Sequence, residues 1–259
     1  MSKSLAGVHA IAKLALIASL LTAATQIPAR ATDIKFFCAG ALRSTAGTLI
    51  PQFERASGRK VDVTFAPIGV IATRVGNGDA ADLVILSPRR WEALRKEGKL
   101  DPAVRVVVAK VGKGLFVRAG AAKPDIGSVA ALKRALLSAR SLVIGNPAVE
   151  PPAAYAVRLF DRLGISAELK PKIKPVVGIG KWFELVAKGD AEIGLGQTSD
   201  APPGVELVGP LPAEVQNYTI LTAAIPANAH DPAAAKALID FLRSPTAASL
   251  LKSKGLVPG

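Results

Sequence analysis

Short apolar runs and longer amphipathic segments alternate along the chain after residue 31. The stretch 61–65 (VDVTF) alternates apolar and polar residues as a half-buried strand does, and 83–86 (LVIL) is a continuous apolar run typical of a buried parallel strand. Over residues 42–53, apolar residues recur at the spacing of a helix with one buried face. Strands that alternate with helices predict an α/β fold with helices on both faces of a parallel sheet.

The same pattern predicts the remaining elements. Helices are expected at 42–57, 70–77, 88–97, 129–138, 153–163, 181–188, 231–243 and 245–254, and strands at 61–65, 83–86, 104–111, 114–117, 142–144, 173–177, 192–195, 205–208 and 218–225. Extended stretches near residues 110 and 210 indicate two chain crossings between lobes. We therefore expect a first lobe in two parts, 32–111 and 208–259, with a second lobe, 112–207, inserted between them.

The first 31 residues have the composition of an export signal. Lys3 and Lys13 supply positive charge, residues 14–25 are apolar, and the small-x-small pattern at Ala29 to Ala31 is typical of a cleavage site. No later segment reaches the roughly 18 apolar residues that a membrane-spanning helix needs. We expect cleavage near Ala31 and a mature protein in the periplasm.

The charge balance points to anions. The chain has a formal net charge of +13 at pH 7, and a basic surface attracts anions and acidic partners. The basic residues lie singly, without a basic run or interleaved aromatic residues, so the pattern does not favour nucleic-acid binding.

Motifs of catalysis and metal binding are missing from the sequence. His230 is the sole histidine after residue 31, and there is no Gly-x-Ser-x-Gly, Walker-type or Cys-x-x-Cys motif and no histidine-carboxylate cluster. Cys38 is the only cysteine, so an internal disulfide is impossible, and we interpret it as a small buried hydrophobic residue. The expectation is a protein without cofactor, metal or catalytic residue, and therefore not an enzyme.

Four strand-to-helix junctions are candidates for a binding site. They lie at 40–42, 67–70, 152–154 and 178–180, and all are rich in glycine, alanine or proline. Ligands of open parallel sheets bind beyond the carboxyl ends of the strands, where helix N-termini offer free backbone N–H groups to anions. Ordinary tight packing of α/β turns also favours small residues, and this alternative stays open.

An ordered set of motifs resembles the periplasmic molybdate-binding proteins of ABC importers. The segments that carry the resemblance are the export signal, 37–41, 78–85 (GDAADLVI), Asn146-Pro147 followed by Tyr155, 194–201 (GLGQTSDA) and 241–248 (FLRSPTAA). The resemblance implies a type II periplasmic binding protein fold, in which two parallel-sheet lobes joined by two crossing strands close around a ligand. It also implies a monomer that delivers molybdate or tungstate to an ABC permease in the membrane.

The resemblance also implies which positions of this chain correspond to the residues of the family's ligand pocket. Its two serine-bearing loops fall on Ala41 and on Pro67-Ile68-Gly69. Its second-lobe backbone donors fall on Ile179 and on Pro152 or Ala153, of which only Ala153 has an N–H. Its closing tyrosine falls on Gln197. The expected ligand-binding residues are Gly40, Ala41, Arg43, Ile68, Gly69, Ala153, Tyr155, Ile179 and Gln197.

Because the family's serine and tyrosine hydroxyls are replaced here, two alternatives stay open. One is a small organic anion, a carboxylate held by Arg43 or Arg74 with Trp182 or Tyr155 packed against its body. The other is a periplasmic sensor subunit that uses the same cleft and hands its ligand to a receptor kinase.

Overall fold

Two sheets organise the computed structural model, which describes residues 33–148, 151–176, 179–199 and 201–259. The strands are β1 (Ile34–Ala39), β2 (Val61–Ala66), β3 (Leu83–Leu86), β4 (Val106–Val111), β5 (Lys113–Arg118), β6 (Leu142–Ile144), β7 (Ile173–Pro175), β8 (Ile193–Gln197), β9 (Val205–Pro210), β10 (Thr219–Ala224) and β11 (Leu256–Pro258). The helices are α1 (Arg43–Ser57), α2 (Ile68–Gly76), α3 (Pro88–Lys96), α4 (Val129–Ser138), α5 (Pro151–Leu163), α6 (Ser166–Leu169), α7 (Ile179–Lys188), α8 (Pro232–Leu242) and α9 (Pro245–Ser253).

The strand order of the first sheet is β11-β4-β10-β3-β1-β2, and that of the second is β7-β6-β8-β5-β9. The chain passes from the first sheet to the second between Val111 and Lys113 and returns between Pro210 and Thr219. Below, the first lobe is the first sheet with α1, α2, α3, α8 and α9, and the second lobe is the second sheet with α4 to α7. The predicted two-lobed α/β fold with two crossings is confirmed.

Each sheet is mixed rather than wholly parallel. Strands β1, β2 and β3 pair in parallel, as do β6, β7 and β8, whereas β10 runs antiparallel to β3 and β5 antiparallel to β8. The reason is the direction of the crossings. Both β5 and β10 enter their sheets from the edge at which the parallel strands end, so they must run the opposite way.

Alternating side chains of buried strands supply a separate core on each face of the first sheet. On β3, Leu83 and Ile85 pack into the core beneath α1, α8 and α9, and Val84 and Leu86 pack into the core beneath α2 and α3. All four side chains are fully buried. The continuous apolar run at 83–86 is thus explained by a strand covered on both sides.

The predicted elements occur in the predicted order, with ends shifted by a few residues; α2, for example, begins at Ile68 rather than at residue 70. Three elements are absent from the predicted ranges: β1, which was expected only as the strand that leads into the 40–42 junction, and α6 and β11, which have four and three residues. The four-residue helix and the three-residue strand contain barely more than one period of their patterns, which is too little to identify either element from the sequence. Among the described residues, no helix has both the length and the apolar character needed to cross a bilayer.

Asp82 joins three parts of the first lobe. Its carboxylate accepts hydrogen bonds from the backbone N–H groups of Lys35 (2.9 Å), His230 (2.8 Å) and Asp231 (3.0 Å), and its side chain is buried. It therefore ties the starts of β1 and β3 to the start of α8. The role of Asp82 in the 78–85 segment is therefore structural, because Asp82 lies at the end of the sheet opposite the carboxyl ends of the parallel strands.

Two glycines of β8 make room for an aromatic ring. Trp182 of α7 is buried against this strand, and a Cβ atom added at Gly194 would lie 2.6 Å from the indole ring. A Cβ at Gly196 would also meet the ring. The glycine spacing of the 194–201 segment is thus a packing requirement of the second lobe, and Trp182 is a core residue rather than a ligand contact.

Cys38 also belongs to a core. Its side chain is fully buried in the first lobe beside Leu42 and Ala46, and burial raises the pKa of its thiol far above the usual range. A thiolate is the reactive form of cysteine, so this position is chemically inert in the folded protein.

The variant Gly194→Ala tests the indole packing. We expect a loss of about 1–3 kcal/mol in the free energy of unfolding, because the new methyl group overpacks the ring. Gly47→Ala is the matched control: Gly47 lies inside α1 with open space around a Cβ, so alanine should stabilise the helix by about 0.5–1 kcal/mol. Urea denaturation followed by circular dichroism measures both, and equal stability of Gly194→Ala and wild type would contradict the packing argument.

Reaction of Cys38 with a chromogenic disulfide reagent tests its burial. In native buffer we expect labelling on the order of a hundredfold or more slower than in denaturant, because the thiol reacts only when the lobe opens. Absorbance at pH 8 with and without guanidinium gives both rates. Rapid stoichiometric labelling of the native protein would show that the thiol is accessible.

Candidate binding cleft

A cleft of about 900 Å³ lies at the carboxyl ends of the parallel strands, where the two lobes face each other. The first lobe contributes the residues that follow β1, β2 and β3, and the second contributes the first turn of α5 and the end of β8. The start of β10, where the chain returns to the first lobe, completes the wall. This is the edge at which the crossing strands enter both sheets.

The structure brings most of the residues predicted to bind ligand together at this cleft. Those among its lining residues are Gly40, Ala41, Arg43, Ile68, Gly69 and Gln197. Gly40 to Leu42 form a short 3₁₀ turn that leads into α1, and Ile68 begins α2. The first two candidate junctions therefore face the same space.

The predicted second-lobe residues are placed differently. Pro152 lines the cleft, while the side chain of Ala153 is buried. Ile179 is the first residue of α7; its side chain, together with residue 178 of the fourth junction, lies outside the described part of the chain.

Tyr155 is a core residue, and its prediction as a ligand contact is wrong. Its ring is 9% exposed and packs with Ala156 and Leu159 in the second lobe, where its hydroxyl donates a hydrogen bond to the carbonyl oxygen of Val215. The buried face of the amphipathic helix α5 holds these side chains, so the ring points toward the sheet and away from the cleft.

Arg74 is also placed elsewhere. Its Nε lies 2.7 Å from Asp79 Oδ2, and its guanidinium carbon lies 3.9 Å from the centre of the Phe37 ring. Arg74 therefore ties α2 to the loop that follows it, and the carboxylate-binding role considered for it is not supported. Of the two arginines considered for an organic anion, Arg43 is the one at the cleft.

Two arginines give the cleft its charge. The guanidinium of Arg43 lies over the Phe65 ring, 4.3 Å from its centre, and Arg90 extends from the first turn of α3. Neither forms an ion pair within the described residues, and the described residues that line the cleft include no aspartate or glutamate. The described part of the lining therefore carries positive charge that no described carboxylate compensates.

Helix N-termini add to this field. The helices α1, α2, α3 and α5 all begin at the cleft, and the first turn of a helix carries free N–H groups and the positive end of its dipole. Gly40 and Gly69 are exposed there, and no atom lies within 4 Å of a Cβ built on either. Their backbones are thus open to a ligand.

Sequence reasoning missed several lining residues. They are Ser87, Arg90, Ser199, Thr219 and Leu221. Ser87 directly follows the buried run of β3 and caps α3, its hydroxyl oxygen accepting from the Arg90 backbone N–H at 3.4 Å. A serine-proline pair after an apolar run was therefore a usable signal, whereas nothing in the local pattern places Thr219 at the cleft.

Thr219 forms the back of the cleft. Its hydroxyl oxygen accepts a hydrogen bond from Gln197 Nε2 at 3.2 Å and another from Lys113 Nζ at 3.4 Å. Three hydroxyl groups, those of Ser87, Ser199 and Thr219, thus line the cleft at positions other than the family's serines. Among the described residues, no group of three histidine, cysteine or carboxylate side chains is placed to hold a metal ion.

Comparison with known proteins contradicts one expectation from the sequence. The aconitate isomerase of a Pseudomonas species is 30% identical over 254 residues, which cover 93% of this chain and 95% of that protein. The expectation that the chain is not an enzyme, which was drawn from missing motifs, is therefore wrong. Groups for proton transfer can be assembled in space without a local motif.

Two other relatives are binding proteins. The molybdate-binding protein ModA of Escherichia coli (strain K12) is 28% identical over 228 residues, 86% of this chain and 88% of that protein. The solved substrate binding domain of a putative molybdenum ABC transporter from Clostridium difficile superposes with a TM-score of 0.76 at 17% identity, over 88% of this chain and 99% of that one. The latter supports the two-lobed fold.

The family model for bacterial extracellular solute-binding proteins matches residues 34–257. This range runs from the first strand to the last and includes both lobes and the cleft. The chain belongs to the bacterial extracellular solute-binding proteins.

Proposed function

We propose that the protein captures a small anion in the cleft and delivers it to an ABC importer. The observation that carries this proposal is the cleft lining, in which Arg43, Arg90 and four helix N-termini converge with no carboxylate among the described lining residues. Burying an anion is costly unless its oxygens are paired, and these groups are the donors that pair them.

The delivery step follows from the two-lobed form. We propose that the two lobes defined above close when an anion touches both. The boundaries predicted from the sequence, 32–111 and 208–259 around 112–207, differ from these lobes at the return, because β9 stays in the second sheet as far as Pro210. A ligand that contacts both lobes favours the closed form, which a permease can then distinguish from the open one. The protein is proposed to act as a monomer in the periplasm after cleavage near Ala31.

Molybdate or tungstate is the first candidate cargo. It is supported by the ligand for which the E. coli relative is named and by the backbone N–H groups of the helix N-termini at the cleft. A buried tetrahedral dianion needs nearly all its oxygens satisfied, and each missing donor costs about 1–3 kcal/mol. The serines expected from the family pattern are absent at Ala41 and Ile68. The hydroxyls of Ser87, Ser199 and Thr219 are proposed to replace them.

A polycarboxylate is the second candidate, and two observations favour it. Paired guanidinium groups suit carboxylates because each can bind both oxygens at once, and Arg43 and Arg90 line the same cleft. The relative named aconitate isomerase acts, by its name, on a tricarboxylate. In this case the cleft holds the carboxylates, and turnover becomes a question to measure.

Calorimetric titration with molybdate, tungstate, sulfate, phosphate and cis-aconitate separates the two candidates. We expect submicromolar binding of either the two metal oxyanions or cis-aconitate, and at least about a hundredfold weaker binding of sulfate and phosphate, which is a difference of roughly 2.7 kcal/mol. Absence of heat with all five anions would overturn the proposed function.

Proton NMR of a mixture of the protein and cis-aconitate then distinguishes binding from catalysis. The appearance of trans-aconitate signals supports an isomerase that uses the cleft, and bound but unchanged cis-aconitate supports uptake. Heat-denatured protein is the control for spontaneous conversion.

Substitution of the cleft arginines tests the site itself. Arg43→Gln and Arg90→Gln should each weaken anion binding about tenfold to a hundredfold, because each removes a charge-assisted hydrogen-bond donor. Arg89→Gln is the matched control, since Arg89 is exposed on the same turn of α3 and does not line the cleft. Its affinity should stay within about twofold of wild type. An equal loss in all three variants would indicate a general surface-charge effect and contradict a localised site.

A further inference from the structure

Lys113 is a lysine buried at the crossing between the lobes. It is the first residue of β5, and its side chain is 1% exposed. Gln216 holds its backbone from both sides: the Lys113 N–H donates to Gln216 Oε1 at 2.6 Å, and Gln216 Nε2 donates to the Lys113 carbonyl oxygen at 3.0 Å. The side chain is therefore held in place by a fixed main chain.

No described acidic group neutralises this ammonium. Among the described residues, its hydrogen-bond partner is the hydroxyl oxygen of Thr219, 3.4 Å from Nζ, and it forms no ion pair there. Burial alone lowers the pKa of Lys113 to about 8. The described residues that pair with Lys113 or hydrogen-bond to it are all uncharged; they are Gln197 on β8, Leu211, Gln216, and Thr219 on β10.

An unpaired buried charge destabilises the ligand-free protein, so the burial of Lys113 indicates a functional role. Thr219 and Gln197 both line the cleft, whereas Lys113 lies behind them. The ammonium is thus separated from the cleft by a single hydroxyl group. An anion bound against Thr219 would lie near enough to compensate the lysine charge.

The hydrogen bonds also orient the hydroxyl. The Thr219 oxygen accepts from Gln197 Nε2 and from Lys113 Nζ, which uses both of its acceptor positions. Its own hydrogen remains available to donate into the cleft. Donation from a charged ammonium polarises the hydroxyl and strengthens its bond to an acceptor.

We propose that Lys113 is a positioning residue for the bound anion: with Gln197 it sets the Thr219 hydroxyl as a donor into the cleft, and the anion neutralises its buried charge. This inference rests on the proposed function, because it requires an anion in the cleft. Lys113 would thus contribute to the anion site without touching the ligand, from the point where the lobes join.

A pH dependence follows from this arrangement. Below pH 8 the lysine of the empty protein is protonated, and binding needs no proton. The anion raises the pKa of Lys113 in the complex, so at higher pH binding must be accompanied by proton uptake. The affinity should therefore fall as the pH rises above 8, by at most about tenfold per pH unit, until the pKa of the complex is reached.

The test is calorimetry of the full exported protein with molybdate and, in parallel, cis-aconitate at pH 7.5, 8.5 and 9.5; both anions are fully ionised there. Lys113→Met keeps the length of the side chain and removes its charge. We expect about a tenfold weaker affinity at pH 7.5 and no further loss up to pH 9.5, whereas wild type loses affinity over the same range. Titrations at pH 8.5 in buffers of different ionisation enthalpy should show proton uptake by wild type and none by the variant.

Lys110→Met is the matched control, because Lys110 is a half-buried lysine on β4 close to the same crossing. It should retain the affinity and the pH dependence of wild type. Thr219→Val removes the donor while keeping Lys113 and should weaken binding about tenfold, and Thr219→Ser should restore it. This pair keeps the inference testable if Lys113→Met fails to fold.

The outcomes separate the two proposals. Binding by wild type with an unchanged affinity and pH profile in Lys113→Met overturns the role of Lys113 and leaves the cleft as an anion site. Equal affinities of Thr219→Val and Thr219→Ser also overturn that role. No binding of molybdate, cis-aconitate or the other three anions by wild type overturns the proposed function, and the inference about Lys113 fails with it.

Discussion

The two segments that connect the lobes run side by side and pair with each other, and this pairing fixes where the lobes meet. The chain leaves the first lobe at Val111 and returns at Thr219, and in the second sheet β5 pairs with β9 next to these crossings. The Leu211 N–H donates to the Lys113 carbonyl oxygen at 2.9 Å, and a Cβ added at Gly114 would lie 2.7 Å from the Gly209 carbonyl oxygen. The two connections are therefore packed side by side, and their common edge is where both lobes present the ends of their parallel strands.

This arrangement of strand ends makes the cleft attractive to anions, although few of its side chains are charged. Because parallel strands end at the same edge, the helices that follow them begin there, and their free N–H groups face the space between the lobes. Arg43 and Arg90 extend from first turns at this edge, where their charge adds to that of the helix dipoles. The same cleft chemistry suits a metal oxyanion and a carboxylate, which is consistent with relatives named for molybdate binding and for aconitate isomerisation.

The relation to an isomerase changes how the missing motifs should be interpreted. Sequence motifs of catalysis describe residues that are close along the chain, whereas a cleft between two lobes collects its residues from distant segments. Arg43, Gln197 and Thr219 are separated by many residues in sequence and still line one cavity. Proton transfer by groups from separate loops would leave no local pattern.

Local sequence patterns were enough to predict the alternation of strands and helices, the two-lobed fold and the first two strand-to-helix junctions that line the cleft. They were enough because burial imposes a local period on apolar residues, as at Leu83–Leu86, and because strand-to-helix turns favour small residues, as at Gly40 and Gly69. Long-range packing was needed to show that Tyr155 and Trp182 are core residues, that Arg90 and Thr219 line the cleft, and that Lys113 is buried behind it. Those outcomes depend on which face of an element meets another lobe or sheet, and contacts between residues far apart in sequence fix that choice.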